Sequence, residues 1–397
     1  MSLLTLTHYL QTASEIIAWL VALTWLWKVI TAARGLPRVP NLLLPQHDIS
    51  PQGDPSLTII VPARDEAADI AATLKSLLNQ DYPNLQIIAV NDRSTDSTGD
   101  IITTLAAQHP DKLRALHIAE LPPGWLGKTH AMALAARQAP TDYLLFTDAD
   151  VLFRPDALRR ALAHAVATQA DHLVLLPTTL IKTFSEGMLL GYLHVMSLWA
   201  VRPWRVSDPR ALRDAVGVGA FNLLRTPVYQ QVGGFDDLRM EIVEDLTLGR
   251  RIKQAGFRQR IANAPGLVSL HWASGAGGVV KAMTKNLFAI FAFRFWLVLL
   301  ACMGIALICV APAAFLAIPE ARPPAILTWA AVAALYALSS RTSRISPWYA
   351  IFLPLSGAIL IYSILRSTFT TLKDGGVRWR GTFYPLAELR KNAAPLF

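Results

Sequence analysis

Over residues 57–268 short apolar runs alternate with amphipathic segments, and no other feature of the 397-residue chain limits its fold as tightly. The runs 57–61, 85–90, 113–118, 143–147 and 172–176 are rich in Ile, Leu and Val and show no sustained inside–outside alternation. Runs of that length and composition fit strands buried on both faces of a parallel sheet. Between them, 68–79, 94–108, 129–138 and 155–167 carry the three-to-four spacing of amphipathic helices. Such alternation predicts an α/β domain with a doubly wound sheet. Sheets of this kind bind ligands outside the carboxyl ends of their strands, so chemistry is sought where these runs end.

The flanks differ in kind. Hydrophobic residues make up 53% of the chain and charged residues 16%, too apolar a balance for an ordinary soluble enzyme. Residues 16–33 are long enough to span a bilayer, with Lys28 reaching the interface and Arg34 and Arg38 following. No Lys or Arg precedes this run, which disfavours a cleaved signal peptide. The positive-inside rule sets the start of the chain outside and the rest, after Arg34, in the cytoplasm. Three further apolar runs lie at 296–318, 325–339 and 347–365, the second marginal in length. The tail beyond them carries Arg366, Lys373, Arg378, Arg380, Arg390 and Lys391 and is expected in the cytoplasm. Three full spans would carry it outside, so either one run is re-entrant or interfacial or the tail departs from the charge rule. Residues 185–204 read as an interfacial amphipathic helix or a buried core helix. The net charge of +9 suits contact with anionic headgroups, and the scattered basic residues form no stripe for nucleic acid. Cys302 and Cys309 share one helix face as small apolar side chains.

Acids recur where the strand runs end. Asp92 follows 85–90, and Asp148 and Asp150 follow 143–147. Two carboxylates one residue apart on a strand-to-loop turn can share a hard divalent cation, which in turn can bridge nucleotide phosphates. Helix capping would also favour an acid at Asp150, and the helix dipole would favour Glu244 and Asp245. The Gly217–Gly219–Ala220 stretch offers backbone N–H groups close to a ligand but lacks a dinucleotide-binding pattern.

Several segments, in order, resemble those of family 2 glycosyltransferases of the Rossmann-like GT-A fold: VPARDE (61–66), VNDRSTDST (90–98), GWLGKTHAM (124–132), FTDADV (146–151), VGGFD (232–236) and EIVEDLTLGRRIKQAGFR (241–258). The tail segment GGVRWRGTFYPL (375–386) is similar to one in the hopanoid- and carotenoid-associated branch. The resemblance implies that Pro62, Ala63 and Glu66 line the nucleobase and ribose side of a donor pocket. It implies that Asp92 accepts a hydrogen bond from the base, that Lys128 approaches the diphosphate and that Asp148 contacts ribose or metal. Asp150 would ligate Mg2+ or Mn2+, His271 would complete the metal shell, and Asp245 would be the general base. Asn91 stands where the family commonly has an acid. The QxxRW motif of processive synthases is absent, with Trp379 and Arg380 either folding over the site in its place or anchoring at headgroups.

The expected organisation is an anchor over 1–35, a linker over 36–55, a catalytic GT-A domain over 56–285, membrane segments over 286–366 and a basic cytoplasmic tail over 367–397. The expected function is inverting, metal-dependent transfer of one sugar from a UDP-linked donor to a lipid acceptor at the cytoplasmic face of the inner membrane. A processive polysaccharide synthase and an inactive membrane scaffold are the alternatives.

Overall fold

The computed structural model describes residues 3–393 and divides into two compact units. One holds Val39–Leu180, Pro203–Trp272 and the tail from Asp374; the other holds Met1–Arg38, Ile181–Arg202 and Ala273–Lys373.

The first unit is built on a seven-stranded sheet. Among the described residues the unit's strands, in the main sheet and two smaller ones, are β1 (Leu57–Ala63), β2 (Leu85–Asp92), β3 (Leu113–Ile118), β4 (Tyr143–Phe146), β5 (Val151–Phe153), β6 (His172–Leu176), β7 (Thr178–Thr179), β8 (Asn222–Arg225), β9 (Gln259–Asn263), β10 (Val268–Leu270), β11 (Gly376–Trp379) and β12 (Thr382–Pro385). The main sheet runs β3-β2-β1-β4-β8-β6-β9. β1 is buried along its whole length and sits between parallel β2 and β4, the environment that its unbroken apolar run requires. Helices Ile70–Leu78, Thr98–Gln108, Gly127–Ala136 and Ala157–Ala167 fall where the helical spacing predicts.

β1 and β2 run further than the apolar pattern indicates, to Ala63 and Asp92, because their parallel ladder continues through Ala63 opposite Asn91. Backbone pairing thus carries polar side chains out to the rim. β8 is the larger departure: it inserts antiparallel between β4 and β6, which makes the sheet mixed. A separate sheet, β5-β10-β7, follows the Asp148–Asp150 turn, and its antiparallel register sets Leu270 opposite Val151.

The second unit is helical. Among the described residues, four of its helices, Tyr9–Arg38, Phe295–Phe315, Arg322–Ser343 and Pro347–Asp374, are long and apolar enough to cross a membrane, the third included. They turn large apolar side chains outward, among them Leu20, Trp27, Leu299, Met303, Ile326 and Phe369. Lys28 does not reach outward as expected. It is buried, donates to the Leu198 carbonyl and lies over the Trp199 ring, because an inward carbonyl satisfies an ammonium at this depth. The 185–204 stretch forms the helix Phe184–Ala200, opened by a capping box in which Thr183 and Glu186 bond each other's backbone N–H groups. Cys309 is buried, with the Tyr192 hydroxyl donating to its sulfur, and Cys302 is half-buried; both are free thiols.

Candidate active site

The loops that follow β1 and β2 are knitted together by short polar side chains. Ser94 Oγ accepts from the Asp65 N–H at 3.1 Å, and Thr98 Oγ1 accepts from the Glu66 N–H at 2.8 Å. Asp65 Oδ1 accepts from the Thr95 N–H at 2.7 Å and Asp96 Oδ2 from the Ala67 N–H at 3.1 Å. The Ser, Thr and Asp residues of RSTDST are therefore loop-building groups, and the Thr98 hydroxyl on Asp96 holds that carboxyl below its usual range. Asp65 and Arg93 both adopt positive φ, 54° each, a conformation that costs energy in non-glycine residues and clusters at functional loops.

At the tip of β2, Asp92 is 3% exposed and Arg93 grips it in a bidentate pair, Nε–Oδ1 2.7 Å and Nη2–Oδ2 3.0 Å. Arg93 was not among the expected site residues; as the neighbour of an acid it carries no spacing signal. Asn91, the departure from the family pattern, bonds His117 Nδ1 at 3.2 Å and accepts from the Ser94 N–H. A carboxylate there would have no proton to offer a ring nitrogen acting as acceptor.

The centre of the site is an ammonium between two acids. Lys128, in the first turn of Gly127–Ala136, lies 2.6 Å from Asp148 Oδ1 and 2.8 Å from Glu244 Oε1. Burial opposes its charge, but Asp148, Glu244 and Asp245 outweigh that and raise its pKa. Asp148 stands beyond β4, and Glu244 and Asp245 open the helix Glu244–Gln254, so the cluster joins three elements distant in sequence. Asp245 Oδ2 accepts from the Gly219 N–H at 2.8 Å, and its Oδ1 from the Leu246 N–H at 2.8 Å.

The glycines of VGVGAF have a packing reason. A Cβ on Gly217 would collide with the Asp245 carbonyl, and one on Gly249 with that of Val216. Backbone meets backbone here, and that approach seats Asp245 beside Asp148. The Gly219 N–H, read from sequence as facing a ligand, serves Asp245. Lys253 supports the same loop from behind, donating to the carbonyls of Val206 at 2.7 Å and Asp214 at 3.0 Å.

Two acids in the cluster are pushed towards neutrality. Burial, with Asp148 and Glu66 nearby, raises Asp150 to about 7 against the lesser pull of Lys128. Burial and Glu244 raise Asp245 to about 7. The same interactions connect Glu66, Asp148, Asp150, Lys128, Glu244 and Asp245 as one cluster. Pro62 and Ala63 are buried at the end of β1. His271 follows β10, one residue past Leu270, which pairs with Val151, the chain neighbour of Asp150. Among the described residues, no three His, Cys, Asp or Glu side chains are drawn together to hold a metal. The excess of carboxylate that raises Asp150 nevertheless fits a divalent cation, since a cation is what would return that group to its ionised form.

Residues 58–184 match the sequence profile of glycosyl transferase family 2. The chain carries a family 2 glycosyl transferase domain. Two 4,4'-diaponeurosporenoate glycosyltransferases from Staphylococcus aureus strains are 29% identical over 197 residues and 30% identical over 198 residues, each aligning 49% of this chain with 50% of the relative. The chain thus spans about half the length of the curated relatives it matches. A mannosyltransferase from Pyrobaculum calidifontis, solved with GDP-Man and Mn2+, superposes with a TM-score of 0.54 at 20% identity, covering 90% of this chain and 99% of that one. The fold is GT-A, with candidate membrane helices flanking the domain in sequence.

The family 2 match contains Pro62, Ala63, Glu66, Asp92, Lys128, Asp148 and Asp150, while Asp245 and His271 lie beyond it. Glu244, which the sequence offers only as the neighbour of Asp245, joins the candidate site through its ion pair with Lys128. Its near-complete burial beside Lys128 sets it apart from a solvated acid at a helix start.

Proposed function

We propose that this chain is an inverting, metal-dependent glycosyltransferase that moves one sugar from a nucleotide sugar, UDP-linked, to a lipid acceptor at the cytoplasmic face of the membrane. The observation that carries this reading is the convergence of Asp148, Asp150, Glu244 and Asp245 on Lys128 at the carboxyl ends of the strands.

In this reading Pro62, Ala63 and Glu66 line the nucleoside, and Asp92, fixed by Arg93, faces the base. Asp148 and Asp150, with His271, would hold Mg2+ or Mn2+, which supplies positive charge against the departing diphosphate. Lys128 moves from its acid partners towards the same phosphates, where an ammonium stabilises charge as it develops. Asp245, with a pKa near 7, accepts the proton of the acceptor hydroxyl while that oxygen bonds to the anomeric carbon. The bond from that carbon to the diphosphate oxygen breaks on the opposite face, so configuration inverts and no covalent enzyme intermediate forms. The Gly219 and Leu246 N–H groups hold the carboxylate in place through the step.

The outward apolar side chains on the four long helices support a membrane location, and a hydroxyl-bearing lipid is the acceptor that such a location favours. The tail bonds to residues 64–66 of the catalytic body and so shares its side of the membrane. Three long helices intervene, so an even number of them cross.

The test is incubation of purified protein with UDP-sugars, Mn2+ and a bacterial lipid extract, followed by mass spectrometry of the lipids. One hexose or N-acetylhexosamine added per lipid, lost with EDTA, is expected. Polymeric products, or consumption of GDP-sugars alone, would refute single transfer or the UDP assignment respectively.

A further inference from the structure

The C-terminal hairpin β11–β12 makes contacts that no role as a membrane anchor calls for. It turns through Arg380 and Gly381, with φ of 47° and 77°, while Trp379 and Thr382 pair across it. A two-residue turn with both φ values positive suits Asn-Gly or Gly-Gly; an arginine at the first position is held there against its own preference. Strain of that kind points to a function for the side chain that bears it.

That side chain reaches the loop after β1. Arg380 donates through Nη1 to the Arg64 carbonyl and through Nη2 to Glu66 Oε1. Arg64 answers by donating to Thr382 Oγ1 at 3.2 Å. Further along β12, the Tyr384 hydroxyl accepts from the Gly127 N–H at 3.3 Å, one residue before Lys128, and also meets Arg93, the partner of Asp92. Tyr384 is 5% exposed, so this is a packed seam rather than a passing touch. The hairpin therefore joins the loops beyond β1 and β2 and the helix start that carries Lys128.

We infer that β11–β12 forms a wall of the donor pocket and that Arg380 is a positioning residue for the nucleoside diphosphate, acting through Glu66 and the 61–66 loop. The inference rests on the donor reading above. Arg380 balances the Glu66 carboxylate, which otherwise adds to the charge beside Asp150, and it fixes the loop backbone by its second bond. A positioning role predicts an effect on donor binding rather than on the chemical step.

The experiment compares full-length wild type with Arg380→Ala, Arg380→Lys and the double variant Arg380→Ala/Glu66→Gln. It reads UDP and GDP affinity by calorimetry, donor KM and kcat, and hydrogen exchange over 61–66 and 376–385. Arg380→Ala is expected to raise the UDP dissociation constant and donor KM about tenfold, as loss of one charge-assisted bond would, with kcat within about twofold. Arg380→Lys should recover part of the loss, and the double variant should bind UDP no more tightly than Arg380→Ala, since Glu66 itself lines the nucleoside. UDP should slow exchange in the hairpin of the wild type. Unchanged UDP affinity in Arg380→Ala, or a fall in kcat without a rise in KM, would overturn the inference while leaving the donor reading standing. Wild type that binds neither UDP nor GDP would overturn both.

Discussion

Two groups of acids in the catalytic unit are built from the same residue types and behave in opposite ways. On one side Asp48, Asp81 and Asp156 meet Arg154, Arg159 and Arg160. Arg159 bonds Asp48 at 2.7 Å and Asp81 at 2.8 Å, while Arg160 bonds Asp48 at 2.7 Å and Asp156 at 2.5 Å. Every carboxylate has a guanidinium, and against the cost of burial the arginines hold Asp156 down to about 2. At the strand ends Asp148, Asp150, Glu244 and Asp245 gather around Lys128, and Asp150 and Asp245 rise to about 7. The matched set ties the helix Ala157–Ala167 to its surroundings. The mismatched set stores a demand for positive charge, and a demand of that sort is what a cation and a phosphorylated donor can meet.

The largest effect expected from this contrast is on turnover. Asp245→Asn should lower kcat by roughly 10²–10⁴, the range of a lost general base, with UDP affinity within about threefold. Asp156→Asn should leave kcat unchanged. A steady-state assay that found equal rates for both would erase the distinction. Lys128→Ala comes next: leaving Glu244 and Asp148 without their ammonium should cost on the order of 3 kcal/mol in denaturant unfolding, besides a loss of activity.

The two sets should also give opposite pH slopes of stability. Asp156 has a depressed pKa, so its contribution is present above the unfolded value of about 4 and is lost as pH falls through about 2. Asp156→Asn should therefore cost about 1–2 kcal/mol at pH 7 and nothing near pH 2. Asp150 has a raised pKa, so the folded state holds its proton between about pH 4 and 7 and loses that advantage as pH rises through 7. Asp150→Asn should thus raise the melting temperature at pH 8 by a few degrees and have little effect at pH 4. A lower melting temperature at pH 8 would show that Asp150 is satisfied without a cation. The smallest effect concerns rate: log kcat should climb with pH and level off above about 7, as Asp245 ionises.

The rim acids were legible in the sequence because apolar runs mark strand ends, and β3 and β6 have the bounds the pattern gives. β8 was not, since Asn222–Arg225 is four residues of no clear period whose antiparallel place is set by its neighbours. The family resemblance points Lys128 at the phosphates, but its ion pairs with Asp148 and Glu244 depend on a packing of Gly217 against the Glu244–Gln254 helix that no local pattern announces. Arg380 could be flagged only as lying in an unusual tail; that it bonds Glu66, more than three hundred residues earlier, is a fact of tertiary structure.

The central claim is that the cleft acids share one divalent cation with the donor, and Mn2+ binding read by electron paramagnetic resonance in the presence of UDP tests it most directly. The account predicts a bound-ion signal in wild type and in Asp156→Ala that disappears in Asp150→Ala. The same signal in all three proteins, or none in wild type, would contradict it.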